Sequence, residues 1–205
     1  MGLYEDRVLP RLVELTCGGR DMERFRTRTT EGLSGTIVEI GFGSGLNAPV
    51  YPPEVTRVMA VEPCQLARER SARHTTTTRA AIDFVGLDGE RLPLDDASCD
   101  GALCTFVLCT IPDVEAALAE LFRVVKPGGE FHFLEHGRAP DESVRVWQRR
   151  LEPIQRRVAG GCHLTRDPEV LVSDAGFEIV ELDRRYVRGP KPLVYFTQGR
   201  AVRPS

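Results

Sequence analysis

Lysine is nearly missing. Of 27 basic residues only Lys126 and Lys191 are lysines, a bias we read as genome base composition ahead of chemistry. Acidic residues number 30, and the formal net charge of −3 excludes a protein built mainly to coat nucleic acid. No apolar run reaches the length of a membrane-spanning helix, and Met1-Gly2-Leu3-Tyr4-Glu5-Asp6 does not open a signal peptide. The expectation is a cytoplasmic protein with at most peripheral membrane contact. Cysteine is present but never as C-x-x-C: the six stand at Cys17, Cys64, Cys99, Cys104, Cys109 and Cys162. That spacing argues against structural zinc, and no metal ligand set is expected. Cys104 and Cys109 fall in an apolar run, where a thiol behaves as a small core side chain.

What is present suits one compact domain: 205 residues, 41% of them hydrophobic. Short, near-continuous apolar runs at 36–40, 58–61, 82–87, 101–108 and 131–134 have the length and composition of parallel strands covered on both faces. "FEIVEL" and "PLVYFTQ" add two more. Between them lie helical patterns: "CQLARERSARH", "DVEAALAELFRVVK" with Asp113 as its cap, and "DPEVLVSDAGF" with Pro168 in its first turn. "KPGGE" stops the second of these. Before Gly35, "LYEDRVLPRLVEL" and "DMERFRTRTTEGL" read as amphipathic helices. Strand and helix alternate as in a doubly wound α/β domain.

The first strand runs into "VEIGFGSGLN", whose Gly41, Gly43 and Gly45 are spaced G-x-G-x-G. A parallel sheet binds ligands beyond the carboxyl ends of its strands, and glycines there let backbone approach without Cβ clashes. Glu62, twenty-one positions after Gly41, stands where an acid hydrogen-bonds ribose hydroxyls. Both a dinucleotide and S-adenosylmethionine carry such a ribose. The spacing leans towards the second, since a dinucleotide fingerprint puts glycine where Leu46 stands. Glu39, poorly placed beside a pyrophosphate, suits a sulfonium and an ammonium. No tyrosine has a lysine four residues on, so the short-chain dehydrogenase dyad is missing.

The ordered series "VEIGFGSGLN", "VEP", "FVGLDGERLPLDDASCDGALCTFVLCTIPD" and "LFRVVKPGGEFHFLEHG" resembles the class I S-adenosylmethionine-dependent methyltransferases, motif by motif. Within them it is similar to the group of quinone C-methyltransferases, and more so to the methyltransferase-like alkyl thiol methyltransferases, which "CTFVLC", "VWQRRLEP" and "GCHLTRD" echo. The resemblance covers about Gly32 to the end. It departs from the membrane-associated relatives in lacking a hydrophobic N-terminal anchor, and from their "GCN" in placing His163 after Cys162. It implies a Rossmann-like, doubly wound, seven-stranded sheet, mostly parallel with an antiparallel C-terminal strand and helices on both faces. The expected organisation is a single domain over residues 1–205, with a helical cap over 1–34 and an acceptor-side helical insertion over 141–166.

The same resemblance implies S-adenosylmethionine as cofactor, S-adenosylhomocysteine as product, and a site for them. Glu39, Gly41, Phe42, Gly43, Gly45 and Asn47 would cradle the methionyl part. Glu62 would take the ribose, with Pro63 near the adenine. Asp88 and the Gly89 backbone would meet the adenine amino group, although Asp-Gly also reads as a plain turn. Thr105 and Phe106 would border the transferring methyl, although Thr105 also reads as strand filler.

Methyl transfer asks chiefly for in-line alignment of donor and acceptor, with a base only where the acceptor is protonated at neutral pH. His136 and His163 are the candidate bases, each with a plain loop role as alternative; His132 reads as core and His74 as solvated. Cys109 and Thr110 stand where quinone methyltransferases often carry two histidines, which disfavours quinone chemistry. The segment "ESVRVWQRRLEPIQRRVAGG" places Trp147, Leu151, Ile154 and Val158 at helical spacing amid arginines. It reads as a lid, as a membrane-surface helix, or as a helix packed on the sheet, with Pro153 kinking or dividing it. The expected partner is a small hydrophobic acceptor, a thiol or hydroxyl. Carbon or nitrogen methylation of a quinone or phospholipid headgroup, or a non-catalytic binding module, are the alternatives. Oligomeric state is not legible.

Overall fold

The computed structural model describes Glu14 and residues 17–205; "LYEDRVLPRLVEL" lies almost wholly outside them. Seven strands form one sheet: β1 Gly35–Ile40, β2 Val55–Val61, β3 Ala81–Gly86, β4 Cys99–Thr105, β5 Val125–His136, β6 Glu178–Tyr186 and β7 Tyr195–Val202. Their order is β3-β2-β1-β4-β5-β7-β6. The pairings β1–β2, β1–β4, β2–β3 and β4–β5 are parallel, while β7 runs antiparallel to both β5 and β6. The order reverses between β1 and β4, which makes their carboxyl ends the switch point of the sheet. Five helices complete the described chain: α1 Arg20–Thr30, α2 Gln65–Thr75, α3 Val114–Val124, α4 Glu142–Val158 and α5 Pro168–Asp174.

Strand periodicity sorts the side chains onto two faces. Val38, Ile40, Ala102, Cys104, Phe131 and Phe133 join Leu118, Leu121 and Val172 of α3 and α5 in one core. Ile37, Val58, Ala60 and Leu103 build a second core with Leu33, Phe42, Ala48 and Tyr51. Both faces are covered, which accounts for strands that read as continuous apolar runs.

The sequence placed α3 and its cap correctly: the Asp113 carboxylate accepts from Ala116 N at 3.0 Å. Three local expectations are corrected. β4 ends at Thr105 rather than Leu108, because Phe106 takes a positive φ of 58° and leaves the ladder. Pro153 does not divide α4, which runs on through it; it and Arg149 are exposed, so water can satisfy the carbonyl that proline leaves unpaired. "KPGG" falls within β5, where pairing jumps from Cys99–Val125 to Gly101–Glu130, so these residues form a bulge. Removing the cap by Asp113→Ala is expected to lower stability by about 0.5–2 kcal/mol, read by urea unfolding; an unchanged midpoint would mean that Glu90, whose carboxylate accepts from Asp113 N at 2.9 Å, holds the turn alone.

Candidate active site

At the switch point a polar network is sealed beneath α1. Glu39 is 1% exposed; its carboxylate accepts from Asn47 Nδ2 at 2.8 Å and from the Tyr51 hydroxyl. Asn47 Nδ2 also donates to Thr105 Oγ1 at 3.0 Å. Arg26 reaches down from α1 and donates to Asn47 Oδ1 at 2.8 Å and Thr105 Oγ1 at 2.9 Å. Burial pushes Glu39 up to about 7, against the pull of Tyr51, Asn47 and Arg26. Arg26 was not singled out in the sequence. Its only signal there is position, on one helical face with the buried Thr29 and Thr30.

The glycine turn sits beside this network. Gly41 has φ 72°, and a Cβ there would strike the Val107 side chain, so only glycine serves. Phe42 turns its ring into the second core, edge-on to Phe84 at 5.4 Å. Glu62, after β2, accepts from Gly43 N and Cys64 N, both at 2.8 Å. Burial raises its pKa, opposed by those two amides. His74, expected to be solvated, instead places Nδ1 2.7 Å from the Ser44 carbonyl, tying α2 to the turn. Pro63 is exposed. Asp88 is also exposed and accepts from Glu90 N at 2.8 Å, an Asx turn. Gly89 packs so closely on β1 that a Cβ would lie 2.7 Å from Ile40 Cγ2.

Beyond β4 the chain turns sharply over residues 106–112, held from both ends. The Glu135 carboxylate, fully buried, accepts from the amides of Val107, Leu108 and Cys109 at 2.9, 3.0 and 3.3 Å. Arg166 donates to the carbonyls of Leu108 and Ile111 at 2.6 and 2.7 Å. The turn presents Phe106, Cys109 and Thr110 to a cavity of about 1100 Å³, whose other walls include Phe25, His136 and Phe196. Phe106, His136 and Phe196 meet with ring centroids 5.0–5.2 Å apart.

His136 lines this cavity and His163 does not. The His163 ring turns away, Nδ1 lying 3.3 Å from Glu152 Oε1, while its amide donates to the Cys109 carbonyl at 2.7 Å. Cys104 is core, as expected. Cys109 is likewise buried, in a small apolar cluster with Cys162 and Leu164; both thiols also border the cavity, their sulfurs 3.9 and 4.0 Å from His136 Nδ1. The Cys162 thiol is drawn down, by the neighbouring Cys109 thiol first and by His136 after it. The Cys109 thiol rises correspondingly, through its neighbour Cys162 and through burial. His132 is buried between Thr29 O at 2.7 Å and Glu130 Oε2 at 2.9 Å.

Helix α4 does not bury the stripe read in the sequence. Gln155 and Val158 line the cavity, Leu151 packs near Cys109 and Cys162, and Trp147 and Ile154 are exposed. The Arg150 guanidinium lies 5.4 Å from the Trp147 ring centre. Among the described residues no helix is long and apolar enough to cross a membrane.

Burial lifts Glu135 from an ordinary 4.5 to about 7, against the three amides. The folded chain thus keeps a proton that the unfolded chain has lost between those values, and this group's contribution to stability falls as pH rises through them. Wild type should therefore lose stability relative to Glu135→Gln between pH 5 and pH 8, by urea unfolding; a pH-independent difference would place the ionised carboxylate under the turn throughout.

Residues 38–133 match a family model described as a methyltransferase domain. The chain is 33% identical over 178 residues to the thiol S-methyltransferase TMT1B of Homo sapiens, covering 82% of this chain and 69% of that protein. It is 36% identical over 156 residues to TMT1B of Rattus norvegicus, covering 72% and 62%, so about a third of these relatives' length lies outside the match. Among solved structures, an S-adenosylmethionine-dependent methyltransferase of Thermotoga maritima superposes with a TM-score of 0.64 at 22% identity, covering 97% of this chain and 99% of that one; this likeness is one of fold. Sheet order, glycine turn and these relatives agree: the chain belongs to the class I S-adenosylmethionine-dependent methyltransferases, in the family that includes the TMT1 thiol S-methyltransferases.

Proposed function

We propose that this enzyme methylates the sulfur of a small apolar thiol. One observation carries the choice of acceptor: the imidazole that faces the apolar cavity, His136, has two sulfurs within reach of its Nδ1. A quinol or alcohol needs a base to take its proton, and an effective histidine base is held by a carboxylate or carbonyl. A thiol, with a pKa near ~8.5, ionises readily. Phe25, Phe106 and Phe196 suit an apolar body, although Arg20, Arg24, Arg28, Arg185 and Arg188 also line the cavity, and the names of the relatives support the same acceptor.

The residues at the switch point fit the methyl donor. Each Glu62 oxygen accepts one backbone amide, which leaves lone pairs for the two ribose hydroxyls. Arg26 Nε is buried and lacks a partner, a donor suited to the methionyl carboxylate. Glu39 would favour the cationic ammonium and sulfonium, and Asn47 and Tyr51 fix its orientation. Gly41, Gly43 and Gly45 keep the turn free of side chains. Thr105 and Phe106 lie between the Glu39 network and the cavity, and the positive φ of Phe106 aims its ring at His136. When bound, S-adenosylmethionine supplies an already activated methyl group; the chain's own part is to hold, orient and exclude water. Pro63, Asp88 and Gly89 would flank the adenine. His163 we assign to holding the loop after α4 through Glu152, which also accepts from Thr165 N at 2.9 Å.

Purified enzyme given labelled S-adenosylmethionine should transfer label to alkyl and aryl thiols in preference to matched phenols and quinols; equal transfer to phenols would overturn the acceptor assignment. Glu62→Ala removes charge-assisted hydrogen bonds worth about 1.5–3 kcal/mol, so S-adenosylhomocysteine affinity should fall roughly ten- to a hundredfold by calorimetry. An unchanged Kd would put the ribose elsewhere. His163→Asn should leave thiol turnover within about twofold, because its ring stands outside the cavity wall; a loss of 10² or more with donor binding intact would make it the general base after all.

A further inference from the structure

Three groups that could ligate a metal meet in the acceptor cavity from three distant parts of the chain: Cys109 in the turn after β4, His136 at the end of β5, and Cys162 in the loop after α4. Cys109 Sγ, His136 Nδ1 and Cys162 Sγ all lie within 4.8 Å of one another. The sulfur-to-nitrogen separations are 3.9 and 4.0 Å. A zinc ion about 2.3 Å from sulfur and about 2.0–2.1 Å from nitrogen holds such ligands about 3.6–3.8 Å apart. Bringing each sulfur to the nitrogen round an ion thus asks for a few tenths of an ångström, and bringing the two sulfurs, within 4.8 Å of each other, to their place asks for about 1 Å at most, within the reach of side-chain rotation.

We propose that Cys109, Cys162 and His136 form a Cys₂His zinc site whose fourth position opens into the acceptor cavity and takes the acceptor's sulfur. Two thiolates and an imidazole suit zinc, and they balance its two positive charges, which matters where Cys109 and Cys162 are 2% and 3% exposed. Three protein ligands with a vacant fourth position is the pattern of catalytic rather than structural zinc. All three residues line the cavity wall, so the vacant position faces the acceptor. The support is stiff: Glu135 and Arg166 hold the Cys109 turn, the His163 amide pins Cys162's loop to the Cys109 carbonyl, and Phe106 and Phe196 pack on the His136 ring.

The acceptor role rests on the thiol reading above. On coordination the acceptor's S–H bond breaks, its proton goes to solvent, and its sulfur takes the place of water as the fourth ligand. A coordinating thiol is deprotonated outright, so the cavity would hold an anionic nucleophile at neutral pH without a protein base. That accounts for a cavity in which His136 faces sulfur.

The test uses the full chain, reduced with a phosphine and freed of metal, titrated with Co²⁺ as a spectroscopic stand-in for zinc. The site predicts one cobalt per chain, a thiolate-to-cobalt charge-transfer band, and displacement by Zn²⁺. Cys109→Ser or Cys162→Ser should weaken zinc binding more than about a hundredfold, beyond the loss expected for an outer partner, while S-adenosylhomocysteine binding shows that the fold is kept. Benzyl mercaptan should strengthen the charge-transfer band as a third thiolate joins. No band at excess cobalt, or a band that survives in the double variant, would overturn the site. A band that benzyl mercaptan leaves unmoved, or undiminished thiol methylation by metal-free enzyme, would overturn the acceptor role while leaving the thiol reading intact. Cobalt bound without any thiol methylation would instead sink the thiol reading and leave the site standing.

Discussion

The carboxyl group of Glu135, buried among the amides of Val107, Leu108 and Cys109, is the contact on which the turn after β4 and the cavity wall it forms depend. A turn that leaves β4 so abruptly has amides with no ladder to join, and an unpaired buried amide costs about 1–3 kcal/mol. One carboxyl group satisfies three of them. Arg166 does the same for the carbonyls at the far end of the turn. Between these two side chains the chain is held in a shape that its own residues would not choose, including a positive φ at Phe106. That strained residue lies next in the chain to Thr105 of the Glu39 network and lines the cavity.

The same economy of placement appears across the sheet. Because side chains alternate, Ile37 and Glu39 of β1, Leu103 and Thr105 of β4, and His132 and His136 of β5 all face the layer that holds α1. Glu39 and Thr105 meet Arg26 there through Asn47, His132 meets Thr29, and His136 reaches the cavity. Glu135, one residue earlier, points to the other face and to the turn. Shifting β5 by one residue would exchange these roles, which is why the short 126–129 bulge at its start matters.

Helix α1 is attached to this face mainly by polar contacts. Arg26, Thr29 and Thr30 are its buried residues, and Gln198 of β7 donates to Phe25 O and Thr29 Oγ1. A cover held through directed hydrogen bonds is registered more sharply than one held by apolar contact, and it brings a cation to a site that already contains two buried acids. Burying Arg26 without Asn47, Thr105 and the charge of Glu39 would be costly.

The fold and the polar cluster at its switch point were legible in the sequence because they rest on local rules. Apolar runs give parallel strands, the Asp113 cap and the positive-φ glycines follow from backbone sterics, and Glu39, Asn47 and Glu62 lie within one or two turns of the strand ends that position them. The cluster on the cavity wall was not legible. Cys109, His136 and Cys162 are separated by twenty-six residues or more, so no spacing rule joins them, and only the pairing of β4 with β5 and the return of the loop after α4 bring their atoms together. His163, adjacent in sequence to Cys162, points the other way because Glu152 holds its ring. Neighbouring residues in a loop share a backbone but not a direction, and direction is set by whichever partner tertiary packing supplies.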